Sequence, residues 1–305
     1  MRELKKLNEE NLLFFDIETA PVVKELQEDT QLFDAWAHKV AKEGITDSNE
    51  IIKSFSEKAS LYPEFAKIVC IVIGKIMKGS IHLITYDDKD ESKILTRFNE
   101  VIERNSSNKL VGFVNTGFDT PFVFKRMIIN GIEANDKVDS SGLKPWEVEE
   151  IDLAKSWQAT SFSRASLVAV ATALGLPTPK DDISGADVGR IYWESNQDCT
   201  RISRYCRKDV VTTINIFKKM RLENPLEVSG SKEEIVDTNP ILTHLFNGGS
   251  YGAKEKGVIK TLLDELDKGE LSYVFTLLDS ITSTAKGKKT KLTKDHVKEL
   301  KAIYE

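Results

Sequence analysis

Asn11-Leu-Leu-Phe-Phe-Asp-Ile-Glu-Thr-Ala-Pro21 opens as an apolar run and closes on two carboxylates. Leu12, Leu13, Phe14 and Phe15 read as a short strand buried on both faces. Pro21 has no N–H to give to a ladder, so pairing is expected to stop by there. Side chains alternate along a strand, so Asp16 and Glu18 share one side and Ile17 takes the other. Two acids side by side at a buried strand end repel each other, and a proton or a cation must offset that repulsion. The stretch therefore predicts a divalent-metal pair, with the remaining ligands supplied elsewhere in the chain. Taken alone, an Asp-x-Glu at a strand end also reads as the start of a solvated loop.

The chain has 305 residues, 40% hydrophobic and 30% charged, which suits a globular protein of one large domain or a domain with an appendage. A net charge of −5 excludes a basic nucleic-acid coat. It leaves room for a nucleic-acid enzyme, because a metal site needs acids and a basic groove is a local feature. Cys70, Cys199 and Cys206 are odd in number and form no Cys-x-x-Cys, so neither a disulfide framework nor a zinc ribbon is indicated. A reduced, intracellular setting is expected. Residues 1–10 are charged and lack an apolar core, so they do not read as a signal peptide. No apolar run approaches the length of a membrane span.

Residues 22–61 carry Leu26, Leu32, Phe33, Trp36 and Val40 at helical spacing and read as a helical insertion, with Trp36 as a packing residue. Residues 67–77 are a continuous β-branched strand, which a turn at Lys78-Gly79-Ser80 sends back through residues 81–86 as a hairpin. A helix is expected over 92–104, ended by Asn105-Ser-Ser-Asn108, and a strand over 110–114. Gly117-Phe-Asp-Thr-Pro-Phe122 then starts a helix, with Thr120 as N-cap, Pro121 in the first turn and a stop at Asn130-Gly131. Asp119 thus lies at a strand-to-helix junction, where the helix dipole stabilises a carboxylate, as a capping acid or as a ligand. Residues 149–156 read as a short strand or a strand-to-helix turn. Helices follow over 166–174, closed by Gly175, and over 186–194, with an irregular loop over 177–185 between them. Residues 201–220 form the strongest helix, on which Tyr205 and Asp209 share a face. Asn224-Pro225 closes this core. Residues 226–305 read as mostly helical, with a break at Asn247-Gly248-Gly249 and a lysine cluster from Lys286 to Lys301.

Asp16 with Glu18, Asp119, and Asp209 preceded by Tyr205 each have an ordinary reading alone. Their order and contexts together resemble the DEDD exonucleases, in the subgroup with tyrosine in the third motif. Phe15-Asp16-Ile17-Glu18-Thr19 resembles the first motif, Gly117-Phe118-Asp119-Thr120-Pro121-Phe122 the second, and Tyr205-Cys-Arg-Lys-Asp209 the third. The histidine subgroup wants His five residues before the last Asp, where this chain has Arg204. Leu61-Tyr-Pro-Glu-Phe-Ala-Lys-Ile-Val-Cys70 and Pro179-Lys-Asp-Asp-Ile-Ser-Gly-Ala-Asp-Val188 resemble stretches of stand-alone exonucleases related to the proofreading domain of family-B DNA polymerases. One departure is that the polar pair often found before the second motif is Phe113-Val114 here, with Asn115 one step later.

The resemblance covers about residues 10–222. It implies a ribonuclease H-like α/β fold, a mixed five-stranded sheet flanked by helices, over residues 1–222, with residues 223–305 as a small helical extension. It implies a 3′-5′ exonuclease acting on single-stranded DNA with two Mg²⁺ or Mn²⁺ ions, which activate water and neutralise phosphate charge. Asp16 would bridge both ions, Glu18 and Asp209 would complete the nucleophile-side site, and Asp119 would hold the second ion. Tyr205 would orient the attacking water, since a phenol with a pKa of about 10 is a poor base at neutral pH. Thr19, Phe118, Lys180 and Arg204 are assigned to substrate contact. Arg207, Lys208, Lys125 and Arg126 either offset phosphate charge or form solvated helix faces. An exoribonuclease of the same fold and a catalytically silent nucleic-acid-binding or polymerase-associated module are the alternatives. A polymerase or replication partner, and the cytoplasm of a bacterium or phage-infected cell, are the setting the resemblance implies.

Overall fold

The computed structural model describes residues 2–144, 147–178, 183–228, 251–264, 274–275, 278, 282 and 291–304. Its centre is β1 (Leu12–Pro21), a ten-residue strand buried along nearly all of its length. The sheet has five strands in the order β3-β2-β1-β4-β5, where β2 is Ala66–Met77, β3 is Ser80–Asp87, β4 is Lys109–Gly112 and β5 is Ile151–Asp152. β2 runs antiparallel to β1, whereas β4 runs parallel to β1 and β5 parallel to β4. This is the mixed, ribonuclease H-like sheet that the resemblance implied. Lys78 and Gly79 both take positive φ, 51° and 77°, as a two-residue turn matched to strand twist requires.

Strand parity decides what each face of β1 meets. Phe14 packs edge-on to Phe217 of α9 (Thr200–Met220), with ring centroids 5.4 Å apart. Phe15 instead meets Phe98 of α4 (Glu91–Arg104) at 5.5 Å on the other face. Asp16 and Glu18 share the parity of Phe14 and so belong to the α9 face. The register slips between Glu18 and Thr19, a bulge of the kind that re-aims side chains beside functional sites. Pairing ends at Pro21, and α8 (Val188–Glu194) closes on that end. A Cβ at Gly189 would stand 2.7 Å from the Pro21 ring, and the Trp193 indole donates to the Pro21 carbonyl at 3.1 Å.

The insertion between β1 and β2 is helical, as expected. Thr30 caps α2 (Gln31–Val40) and Asp47 caps α3 (Ser48–Lys58). Trp36 lies fully buried against Phe55 and Phe65 and donates to the Ser54 hydroxyl at 2.9 Å, which makes it a core residue.

Two boundaries differ from the sequence reading. β4 stops at Gly112, short of Val114, because Val114 takes a φ of +70° that no strand accommodates. Helix α5 (Asp119–Ile129) begins at Asp119, with Phe118 at the N-cap position and no side-chain cap bond. Thr120 therefore lies inside the first turn, and its hydroxyl is given to Glu150 at 2.5 Å instead. The remaining helices of this part are α1 (Arg2–Lys6), α6 (Leu153–Gln158) and α7 (Leu167–Ala173).

Two compact units are distinguished, one of Met1–Gly79 with Thr85–Leu226 and one of Ser80–Ile84 with Glu227–Glu305. The second contains α10 (Ala253–Asp264) and α11 (Lys294–Tyr304). The break at residues 247–249 and Lys286, Lys288 and Lys289 lie outside the described residues. Lys291, Lys294 and Lys298 are exposed. No helix among the described residues is long and apolar enough to cross a membrane. All three cysteines are buried and unbridged.

Candidate active site

Asp16 and Glu18 project from the α9 face of β1 and meet the third motif there. One ligand atom each from Asp16, Glu18 and Cys206 lie within 4.8 Å of one another. The Cys206 thiol donates to the Asp16 carboxylate at 3.4 Å and to its carbonyl at 3.5 Å. Glu18 stands opposite Cys70 in the β1–β2 register. Tyr205 and Asp209 lie one helical turn apart on α9, near enough for each to shift the acidity of the other.

Asp119 reaches the same place by another route. β4 pairs with β1 only as far as Phe14, so the Ile17 N–H lies beyond the end of the parallel ladder. The Asp119 carboxylate accepts from that N–H at 3.2 Å, which ties the first residue of α5 to the strand between the two acids of the first motif.

Burial raises the pKa of all four of these carboxylates, and the two acids of the first motif also sense the other acids. Burial pushes Asp16 well above the usual carboxylate range, and the charges of Asp119, Glu18 and Asp209 push it further, opposed by the Cys206 hydrogen bond. Burial likewise raises Glu18, followed by Asp209, Cys70 and Asp119. Asp119 is raised to about 7, by burial foremost, against the lowering effect of its backbone hydrogen bonds. Asp209 is also raised to about 7, again by burial, against a lowering influence of Tyr205. No described lysine or arginine is among the leading influences on any of the four. The Tyr205 phenol is driven upward by burial first and then by Asp209 and Glu18, so it stays protonated across the working pH range.

The donor set suits a hard divalent cation. Asp16 and Glu18 lie together, Asp119 is tied to the Ile17 N–H between them, the charge of Asp209 is felt by both, and Asp209 Oδ1 is buried without a hydrogen-bond partner. A cation at this cluster would satisfy that oxygen and offset the mutual repulsion of the acids.

The residues assigned to substrate contact are placed differently. Thr19 is buried, and its hydroxyl donates to the Ser60 carbonyl at 2.8 Å. Phe118 is half-buried and packs on Phe122 at 5.4 Å. Arg204 is exposed and lines a surface cleft with Ile191, Glu194, Asp198 and Arg201, a lining that includes none of the four acids. Lys180 lies outside the described residues. Arg126 does not serve to offset phosphate charge. It is buried, and its guanidinium is bound to Glu91 and to the Pro63 carbonyl. Lys125 pairs with Glu64 at 3.5 Å. The Arg207 guanidinium is buried and donates to the Thr85 hydroxyl at 3.2 Å.

Sequence reasoning missed Cys206, although it lies between the tyrosine and the aspartate of the third motif. It also missed Asn115, Glu150 and Asp152 as a group. Asn115 is fully buried and donates to Glu150 at 2.8 Å, so it faces an acid rather than solvent.

A family model described as a predicted 3′-5′ exonuclease related to the exonuclease domain of PolB matches residues 59–252. The matched span holds Asp119, Tyr205 and Asp209, and the first motif precedes it. No curated protein matches the chain. Among solved structures, the family B DNA polymerase of the hyperthermophilic archaeon Pyrobaculum calidifontis is similar, with a TM-score of 0.45 and 18% identity. That likeness covers 69% of this chain and 24% of the polymerase, so the chain spans about a quarter of its length.

Proposed function

Since the chain belongs to the family of predicted 3′-5′ exonucleases related to the exonuclease domain of PolB, we propose that it removes nucleotides from the 3′ end of single-stranded DNA at the Asp16–Glu18–Asp119–Asp209 cluster. The observation that carries this is the gathering of four carboxylates, each raised by burial, of which Asp16 and Glu18 are raised further by the other acids. Such a cluster is stable only with protons or with cations. Those four residues would hold the metal, Mg²⁺ or Mn²⁺, in two sites. Divalent cations bound there acidify water and neutralise charge on a phosphodiester.

The chain's own contributions follow from the geometry. Asp119 is anchored to the Ile17 N–H, so the second motif moves with β1. Tyr205 stays a neutral phenol and acts as a hydrogen-bond partner that orients water, not as a base. DNA is favoured over RNA because the family is defined by its relation to PolB. Residues 1–222 would carry the activity, with residues 223–305 as an extension, and a separate polymerase or replication protein is the partner this reading suggests.

The test is digestion of a 5′-labelled single-stranded DNA oligonucleotide in Mg²⁺ or Mn²⁺, with matched RNA alongside. A ladder shortening from the 3′ end, absent in Asp16→Ala, is expected. RNA cut in preference to DNA would make the chain an exoribonuclease. Tight binding with no cut of either would make it a silent binding module.

A further inference from the structure

Asp119 is delivered to the acid cluster by a strained turn, and the turn is held by carboxylates that no motif contains. Between β4 and α5 the chain passes through Val114 at φ +70°, a conformation a β-branched residue rarely takes. Two acids at β5, Glu150 just before the strand and Asp152 its last residue, hold it there. Asp152 accepts from the Val114 N–H at 3.1 Å and from the Thr116 hydroxyl at 2.6 Å. Its Oδ1 also accepts from the Ala154 and Lys155 N–H groups, which fixes it as the cap of α6.

Glu150 grips the other half of the turn. One of its oxygens accepts from the Asn115 amide at 2.8 Å and from the Thr120 hydroxyl at 2.5 Å. The Asn115 carbonyl accepts in turn from the Thr120 N–H at 3.0 Å. Asn115 and Thr120 are both almost wholly buried, so water has little access to replace these bonds. A Cβ at Gly112 would stand 2.6 Å from that of Asn115, so the turn closes this tightly only with glycine there. Asp119 sits immediately before Thr120 and has the Ile17 N–H to reach.

On the exonuclease reading of the site, we infer that Glu150 is a positioning residue for Asp119. It locks the turn through Asn115 and Thr120, so that the Asp119 carboxylate meets the cluster in one orientation. The group acts through hydrogen bonds, and a neutral acceptor of the same shape serves.

The experiment compares wild type, Glu150→Ala, Glu150→Gln and Thr120→Val. Mn²⁺ affinity is read by electron paramagnetic resonance, kcat and KM on a single-stranded DNA oligonucleotide, and folding by circular dichroism. Glu150→Ala is expected to weaken Mn²⁺ binding and lower kcat by about 10- to 100-fold, with KM for the oligonucleotide little changed. Glu150→Gln, which keeps a carbonyl acceptor, is expected to restore most of both. Thr120→Val should fall between. Wild-type Mn²⁺ affinity and kcat in a folded Glu150→Ala would overturn the inference, as would a Glu150→Gln as impaired as Glu150→Ala. If Glu150→Ala does not fold, Thr120→Val decides, since it keeps the Glu150 charge and the Asn115 bond. Undiminished Mn²⁺ affinity there overturns the inference. A wild type that neither binds Mn²⁺ nor cuts overturns the exonuclease reading, and this inference with it.

Discussion

Glu91 and Glu18 are glutamates of one domain with nearly the same exposure, 6% and 7%, in opposite company. Glu91 forms a two-pronged ion pair with Arg126 and also accepts from the Ile68 N–H at 2.7 Å and the Asn130 amide at 2.9 Å. Every charge there has its counter-charge, and the result is a joint between α4, α5 and β2. Glu18 meets Asp209, Cys70 and Asp119, each of which makes its ionised form less stable. The difference teaches that burial alone does not mark a functional acid. A buried acid with a cation of its own is structural, and one surrounded by acids needs a proton or a cation from solution.

The comparison predicts opposite signs for the same substitution. Glu91→Gln leaves the Arg126 charge buried without its partner and should cost about 3–5 kcal/mol of stability, read from the urea midpoint. A loss below about 1 kcal/mol would break the contrast. Glu18→Gln should cut single-turnover cleavage by about 10²–10³-fold, yet raise the melting temperature of the metal-free chain, because one repelling charge is gone. A lower melting temperature in EDTA would place Glu18 with Glu91 as a structural acid.

Smaller effects sharpen the picture. Tyr205→Phe should lower turnover by roughly 10²-fold while calorimetric titration finds Mn²⁺ affinity nearly intact. Lost metal binding in that variant would contradict a role in orienting water. The pH dependence has a definite direction. Asp209 moves from 3.8 to about 7 on folding, so the folded chain holds its proton more tightly. Its contribution to metal-free stability is fully present below about pH 4 and is lost as pH rises to about 7, by on the order of 1 kcal/mol per pH unit. Denaturation in EDTA from pH 5 to 8 should therefore show a shallower decline in Asp209→Asn than in wild type. Equal slopes would mean that the raised pKa of Asp209 is not felt by folding.

Much of the fold was legible because its elements are locally encoded. The β-branched run over 67–77, the alternation of Phe14, Asp16 and Glu18, and the apolar side of α9 each carry their period within a few residues. The turn before Asp119 was not. Propensity put a strand through Val114 and a cap at Thr120, but Asp152 takes the Val114 N–H and Glu150 takes the Thr120 hydroxyl. The acids come from 38 and 30 residues further on, and no local rule announces them. Arg126 was misassigned for the same reason, since its partner Glu91 is distant in the chain.

Side-chain periodicity by itself put Asp16 beside Glu18 and Tyr205 beside Asp209, because strands repeat every two residues and helices every 3.6. It could pair acids within an element and order the motifs along the chain. Tertiary structure alone decided which acids keep a cation, which N–H receives Asp119, and that Cys206 enters the cluster. Those outcomes depend on distances between segments far apart in sequence. The electrostatics of a buried charge are set by whatever neighbour folding brings within a few ångströms.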